Sequence, residues 1–221
     1  TIQLTSGTLN LGGSFTTALI GTIHRSGGAV NITGALDNSG ATLALDDTSG
    51  SWGAASGSIT GGTIQASGAA QITQPLGGFT LVGVTALNAP WTMLGGNGAT
   101  TLNVRGDLVL NSTMFLNGSG SLVFAGAGGT TQNILTTGAG VIRIADTPNS
   151  GRTAFVTQSI DSGSGSAART VVIHSGVTVQ GSGGNGSFAE VGAAGQIWVN
   201  QGTIAAIASG ASLTVRGRFY N

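Results

Sequence analysis

The side chains best suited to acid–base chemistry form two short clusters in the first quarter of the chain. Asp46 and Asp47 follow His24 and Arg25 by about one repeat of roughly 20 residues. If consecutive repeats stack, these groups become neighbours on one face, and an acid pair beside cations is suited to cleaving polysaccharides. The favoured interpretation is simpler, a surface ion pair at a corner, worth less than about 1 kcal/mol.

Two aromatic side chains, Trp198 and Tyr220, are the predicted binding residues. Trp198 lies between Ile197 and Val199, which we expect to point inward, so alternation along a strand directs the indole outward. The same argument predicts that Tyr220 is exposed, because we expect its neighbour Phe219 to point inward. An exposed aromatic ring stacks on a sugar ring or on another chain. The alternative is that a loop partly covers it.

Other conspicuous residues have ordinary structural interpretations. Trp52 and Trp91 stand in turn-like contexts, which predicts lids over the core. Arg105-Gly-Asp107 spells the integrin-binding tripeptide, but Arg216-Gly217 fills the same positions elsewhere and indicates turn chemistry. The run from Gly181 to Gly186 matches a dinucleotide fingerprint by letter, yet no convincing helix follows it.

The residue types that are missing exclude much enzyme chemistry. The sequence contains no lysine, no cysteine and only two histidines. Schiff-base chemistry, the phosphate-loop motif and thiolate metal sites are therefore excluded, and a histidine metal cluster is not expected. We predict that the protein is not an enzyme and has no catalytic, cofactor-binding or metal-binding residue.

The composition also narrows the class of protein. A formal net charge of +0 argues against nucleic-acid binding. A hydrophobic content of 40% argues against disorder, and 41 glycines with only 3 prolines argue against collagen. No apolar run is long enough for a membrane helix. What remains is a folded, glycine-punctuated β protein with almost no charge.

An apolar–x–apolar–x–glycine motif recurs along the chain. Its copies begin at Leu9, Val30, Leu102, Leu122, Val177 and Leu213. Apolar residues two apart share one face of a strand, and the Gly, Asn, Ser or Asp that follows favours a turn. Asn10, Asn31 and Asn103 occupy one position of the motif, which predicts local stacking or turn bonding.

The spacing of the motif favours a coil over a β-sandwich with glycine-rich loops. The first two copies lie 21 residues apart, and a coil of roughly 20 residues holds three short strands and three corners. We therefore predict an all-β fold, a right-handed parallel β-helix (β-solenoid) of about ten coils. Loops are expected to bulge between Ala145 and Arg169 and between Gly183 and Gly186.

Several phrases of the sequence resemble a known protein type. The segments Gly7–Gly13 (Gly-Thr-Leu-Asn-Leu-Gly-Gly), Ile197–Ile204 and Ser212–Gly217 resemble the β-helical stalks of large bacterial surface and secreted proteins, filamentous-haemagglutinin-like or autotransporter-passenger-like. The resemblance covers the whole chain, is compositional and repetitive, and carries over no catalytic residue. It implies one β-solenoid domain over residues 1–221, extracellular or on the bacterial cell surface, as a segment or tandem unit of a longer protein or fibre.

The function that this resemblance implies is structural and adhesive, a rigid stalk or fibre element. Its expected partners are neighbouring solenoid repeats, through end-to-end self-association, and surface glycans. Gly217–Asn221 resembles Gly34–Asn38, and Thr1–Leu4 reads like the continuation of that pattern, so we expect one unit to be able to run into the next. The alternatives are a polysaccharide-binding or polysaccharide-cleaving protein and, through ranks of threonine, an ice-binding one.

Overall fold

A computed structural model describes residues 1–95, 98–127, 129–144, 153–158, 169–181, 188–209 and 211–221. Within these ranges the chain forms 28 short strands and one helix, α1 (Thr17–Ile20). The first fourteen strands are β1 (Ile2–Leu4), β2 (Thr8–Leu11), β3 (Ser14–Thr16), β4 (Ile23–Arg25), β5 (Ala29–Ile32), β6 (Ala35–Asp37), β7 (Thr42–Leu45), β8 (Trp52–Ala54), β9 (Gly57–Thr60), β10 (Thr63–Ala66), β11 (Ile72–Gln74), β12 (Gly77–Val82), β13 (Ala86–Asn88) and β14 (Trp91–Met93).

The second half of the chain continues in the same way. Its strands are β15 (Thr100–Arg105), β16 (Leu108–Val109), β17 (Thr113–Leu116), β18 (Gly120–Phe124), β19 (Thr131–Leu135), β20 (Gly140–Ile144), β21 (Thr153–Gln158), β22 (Thr170–Ile173), β23 (Val177–Gly181), β24 (Phe188–Val191), β25 (Ile197–Asn200), β26 (Thr203–Ala206), β27 (Leu213–Val215) and β28 (Arg218–Tyr220). Strands this short, each followed by a turn, suit a chain that closes a corner every few residues.

Most strands pair in parallel with the strand three places further along the chain, which defines a solenoid with three sheets. The first sheet runs β2-β5-β8-β11-β14-β17-β20-β23-β26, and the second runs from β3 to β27 in the same steps of three. The third sheet is interrupted: β1-β4, then β7-β10-β13, then β16-β19-β22-β25-β28. A bridge between Leu87 and Leu110 joins its last two parts, so β4 and β7 flank the break. The all-β parallel solenoid predicted from the repeats is confirmed.

The number of coils is smaller than predicted. The first and second sheets hold nine strands each, so the chain makes about eight turns between the first and last strand, against about ten expected. The early register advances by 21 residues, from Asn10 to Asn31, whereas Ile142 pairs with Val179 in the later coils. The bulges predicted between Ala145 and Arg169 and at Gly183–Gly186 concern residues 145–152, 159–168 and 183–186, which lie outside the described ranges. Residues 153–158 form β21, in register with its neighbours.

Glycine is needed where corners stack directly on corners. Gly13 and Gly57 adopt positive φ angles of 70° and 118°. A Cβ atom on Gly34 would collide with the backbone oxygen of Gly13, and one on Gly57 would collide with that of Gly34. The glycine content predicted for the corners therefore reflects close backbone approach as well as conformational freedom.

Side chains at corresponding positions of successive coils form continuous columns in the core. In the first sheet one inward column contains Val30, Trp52, Ile72, Trp91, Met114, Ile142 and Val179. All of these side chains are buried. The prediction that Trp52 and Trp91 cover the core from turns is wrong, because both lie within strands and pack in this column.

The repeated motif marks a strand and its corner, not one particular sheet. Its copies at Leu9 and Val30 lie in the first sheet, and the copy at Leu102 lies in the second. Asn31 Nδ2 donates to Asn10 Oδ1 at 3.1 Å, which confirms stacking for this pair. Asn103 faces Thr80 and Val123 in the second sheet, so it does not extend the asparagine stack.

The two phrases that suggested an end-to-end continuation lie on different sheets. Residues Ala35–Asp37 form β6 of the second sheet, whereas Arg218–Tyr220 form β28 of the third sheet, to which β1 also belongs. A strand following β28 in the regular order would belong to the first sheet. The two phrases are therefore alike because each contains a corner. Their similarity does not support a continuation from β28 into β1.

Candidate functional site

The break in the third sheet lies beside α1. Among the described strands, β4 pairs only with β1 and β7 pairs only with β10, so the facing edges of β4 and β7 form no ladder. The chain reaches β4 through the four-residue helix α1, which ends at Gly21 with a φ of 66°. Because this segment is helical, it offers no extended backbone to the edge of β7, and the parallel pairing stops there.

A cleft of about 390 Å³ occupies the break. One wall contains Ile20, Thr22 and His24, and the other contains Thr42, Asp46 and Thr48. The cleft extends inward to Trp52. The backbone N–H of Arg25 donates to the Thr48 carbonyl at 2.8 Å and connects the two walls next to His24.

The predicted acid cluster is only partly brought together. Asp46 lines the cleft with His24, but its Oδ1 accepts the backbone N–H groups of Thr48 at 2.9 Å and Ser49 at 2.8 Å. Asp47 accepts the N–H of Ala69 in the next coil at 3.1 Å. Asp46 is therefore a turn-forming residue, and Asp47 connects two coils.

The expected ion pair with Arg25 is not formed. Arg25 Nη1 donates instead to the Ser51 carbonyl at 2.7 Å. Within the described ranges the ion pair present lies elsewhere, between Arg216 Nη2 and Glu190 Oε1 at 3.0 Å. Arg25 therefore takes part neither in a catalytic pair beside cations nor in an ion pair at a corner. Of the predicted cluster, Asp46 and His24 are the residues that lie close together.

The electrostatics of the cleft favour an ionised Asp46. Hydrogen bonds from the backbone N–H and the side chain of Ser49 hold the pKa of the Asp46 carboxyl below its ordinary value, with smaller contributions from Thr48 and the nearby His24. A general acid needs a raised pKa near the working pH. Asp46 is thus suited to accepting hydrogen bonds and not to donating a proton.

Trp52 carries a polar group that no other described residue satisfies. Its side chain is buried, and the indole Nε1 has no hydrogen-bond partner in the described part of the protein. The indole of Trp91 donates to Gln74 Oε1 at 3.1 Å, and that of Trp198 donates to Gln196 Oε1 at 3.3 Å. The unpaired donor thus belongs to the tryptophan that lines the cleft.

Sequence reasoning missed the role of buried glutamine. The strand Ile72-Thr-Gln74 has the alternation of an inward-facing pair, so Gln74 could have been recognised as a buried polar residue needing partners. It accepts from Trp91, and its Nε2 donates to the Thr101 carbonyl at 2.9 Å. Trp52 lacks a glutamine equivalent to Gln74. This difference is visible only in the register of the coils, which the sequence alone does not supply.

The prediction that Trp198 points outward is wrong. Its side chain is fully buried, and its ring stacks on Phe219 with centroids 5.8 Å apart and lies edge-on to Phe124 at 6.5 Å. Trp198 pairs with the buried Val171 of the preceding coil, which fixes its inward side. Tyr220 is exposed as predicted, with 55% of its surface accessible.

The Arg105-Gly-Asp107 tripeptide lies at an exposed corner between β15 and β16. Gly106 has a φ of 90°. Asp107 Oδ1 accepts the backbone N–H of Asn133 at 2.7 Å and its side-chain N–H at 3.0 Å. This carboxylate connects neighbouring coils, which supports the interpretation as turn chemistry. The described residue of the Gly181–Gly186 run is Gly181, in strand β23, and 182–186 lie outside the described ranges.

The architecture alone defines the class of this protein, a parallel β-solenoid with three sheets and one broken edge. No family model, curated protein or solved structure matches the chain. No group of three or more potential metal ligands occurs in the part of the chain that the structure describes. Within the same ranges, no helix is long and apolar enough to span a bilayer.

Proposed function

We propose that the protein is a structural and adhesive element, a rigid extracellular stalk or fibre segment of a bacterial surface protein. The observation that carries the proposal is the register of the first and second sheets, each continuous through nine parallel strands. Because the hydrogen bonds run along the axis of the stack, each coil supports the next one mechanically. At roughly 4.8 Å per strand the stack is about 40 Å long.

A near absence of charged residues fits this role. Only 6% of the residues are charged, and the outward row of the first sheet that begins with Asn10 and Asn31 also contains Thr73, Thr92 and Gln180. Like charges aligned along a stack repel each other, whereas these polar side chains bond to their copies, as Asn10 does with Asn31. The composition is thus suited to a long solenoid that repeats one surface.

Several measurements on the intact chain test the stalk proposal. Limited proteolysis should leave the strands intact. Antibodies against the chain should label intact cells of the source organism without lysis. Rapid cleavage within the strands would contradict a rigid stalk, and labelling that requires lysis would contradict the extracellular location. Sedimentation over a wide concentration range tests end-to-end association, which a strictly monomeric chain would oppose.

Glycan recognition is the second candidate function, and the cleft at the broken sheet edge favours it. Its lining combines threonine and serine hydroxyls with an ionised acid and a histidine. Polysaccharide cleavage has less support than binding, since the lowered pKa of Asp46 disfavours it as a general acid. A glycan array probed with the labelled chain tests this candidate, and an array without signal would contradict it.

A further inference from the structure

Both ends of the solenoid present the edges of three strands that pair on one side only. Within the described ranges, β26, β27 and β28 form ladders with the coil before them. In the same way β1, β2 and β3 form ladders with the coil after them. Because an unpaired edge is a template for another strand, each end is able to extend the sheets.

The apolar columns of the core are also uncovered at both ends. Leu9 and Phe15 of the first coil are only partly buried. Their partners in the second coil, Val30 and Leu36, are each 1% exposed. At the other end, Val215 of the last coil is 45% exposed. A further coil at either end would remove apolar surface from water.

A second copy of this chain supplies such a coil in the right direction. Inside the stack every ladder is parallel and joins strands of one sheet. If the last coil of one copy meets the first coil of another with the same winding, β26 faces β2 of the second copy, and β27 faces its β3. Two first coils placed face to face would instead bring antiparallel strands together. The strands β1, β2 and β3 contain no charged residue, so the first coil brings no charge into a joint.

The third sheet determines how such a joint closes. In chain order β27 is followed by β28 of the third sheet, and the next position belongs to the first sheet. In the second copy the strand of the third sheet before β2 is β1. When β2 takes the position after β28, β28 of one copy and β1 of the other therefore claim the same position. One of the two strands has to leave.

The strand that is held less firmly is β1. It is three residues long and pairs only with β4, which has no other partner among the described strands. By contrast, β28 borders a sheet of five strands, and its Phe219 stacks on Trp198 with ring centroids 5.8 Å apart. Release of β1 is therefore the less costly step, and it frees the edge of β4 for β28.

We propose that two copies of this chain join tail to head, with β28 of one copy displacing β1 of the next from the edge of β4. The joint forms three parallel ladders, β26 with β2, β27 with β3 and β28 with β4, and breaks the one between β1 and β4. This proposal rests on the stalk or fibre role proposed above. It adds the partner, a second copy, and the strand that has to move.

A disulfide that fastens β1 to β4 tests the release of β1. Gln3 and His24 are direct partners in this ladder and are both exposed, and the chain has no cysteine of its own. Neighbouring strands lie about 4.8 Å apart, a Cα separation that a disulfide spans. Gln3→Cys combined with His24→Cys should sediment as a single chain at every concentration when oxidised. After reduction it should form oligomers as the wild type does.

A second pair of cysteines is the matched control. Thr73 and Thr92 are direct partners in the middle of the stack, and each lies between two buried neighbours, so both face outward. Oxidation of Thr73→Cys combined with Thr92→Cys should leave association unchanged. Hydrogen exchange of the wild type gives an independent readout: on association the amides of β1 should exchange faster and those of β26 more slowly.

A charge placed in the core column locates the contact. Ile204 of β26 is partly buried and packs against the core, and it pairs with Val179. Ile204→Lys should abolish association, because its ammonium group would have to be buried in the joint. Ala205→Lys, at the outward position next to it, is the control and should associate as the wild type does.

Each result decides the joint. A wild-type chain that stays single at its highest soluble concentration would overturn the proposal, while proteolysis and surface labelling would still decide the stalk role. If the oxidised chain with cysteines at positions 3 and 24 associates as well as the wild type, β1 keeps its place and the strand exchange is wrong. If Ile204→Lys associates normally, the contact does not lie at the end of the stack.

Discussion

Trp52 and Trp91 lie two coils apart in the same inward column, yet their surroundings differ. Trp91 donates to Gln74 and packs on Phe79 with ring centroids 5.8 Å apart. Trp52 has neither a partner for its N–H among the described residues nor a continuous third sheet beside it. A solenoid therefore supports a large buried indole through the coil before it, and Trp52, beside the interrupted sheet, lacks that support.

Replacing each indole by phenylalanine should separate the two environments most clearly. Trp91→Phe leaves the buried Gln74 amide without its donor, and we expect it to lower the free energy of unfolding by about 1–3 kcal/mol. Trp52→Phe removes a donor that has no partner, so we expect it to be the milder of the two, since the space left by the lost ring atoms costs both variants alike. Urea unfolding followed by circular dichroism measures both.

The control for this pair is Gln74→Leu in the wild-type chain. It removes the acceptor of Trp91 and also the donor to the Thr101 carbonyl, so it should cost at least as much as Trp91→Phe. Combining Gln74→Leu with Trp91→Phe should then cost less than the two single losses added together. Equal losses for Trp52→Phe and Trp91→Phe would show that the two indoles are equally well satisfied, and the contrast between them would disappear.

Giving Trp52 the partner that it lacks should produce a smaller effect, a favourable coupling between the new amide and the indole. Ile32→Gln places an amide where Gln74 stands relative to Trp91. Burying this amide costs stability, but part of the cost is recovered if Oε1 accepts from Trp52. We therefore expect Ile32→Gln to be less destabilising in the wild-type chain than in Trp52→Phe, by about 1 kcal/mol in a double-mutant cycle. A cycle that closes to zero would mean that Ile32 is not equivalent to Gln74, and the register argument for the unpaired donor would lose its basis.

The fold could be predicted from the sequence because its rules are local. Apolar alternation set the strands, glycine marked the corners, and the distance from Asn10 to Asn31 gave the length of an early coil. The coil count was too high because later coils are longer, as the pairing of Ile142 with Val179 shows. A repeat length measured between the first copies of the motif therefore underestimates the length of the later coils.

The candidate site was harder to predict from the sequence, because it depends on which strands fail to pair. Ile197-Trp-Val199 is apolar on both faces, so alternation could not assign Trp198 to one side, and only its pairing with Val171 does. The cleft arises from α1, a four-residue helix without a cap from Thr16. No single segment of the sequence encodes the cleft, although the aspartate and serine of the 46–49 turn are typical turn residues.

The smallest expected effect concerns the rim of the cleft and its dependence on pH. Folding lowers the pKa of Asp46, chiefly through hydrogen bonds from Ser49, so the ionised form stabilises the folded state. That contribution is complete above the ordinary pKa of an aspartate, about 3.9, and is lost as the pH falls through the lower folded value. Asp46→Asn keeps an oxygen that accepts from the turn but does not titrate.

The urea midpoint of the wild type should therefore fall slightly more steeply below about pH 4 than that of Asp46→Asn, and the two curves should run parallel above it. Asp37 contributes in the same sense, because hydrogen bonds from the side chain and backbone of Ser39 also lower its pKa, and it is unchanged in both proteins. Parallel curves through the acid range would mean that the turn at Asp46 is not held by its charge. The turn would then be held by the bonds that do not use the carboxylate, from the Asp46 N–H to Ser49 Oγ at 3.0 Å and from the Gly50 N–H to the Asp46 carbonyl at 2.6 Å.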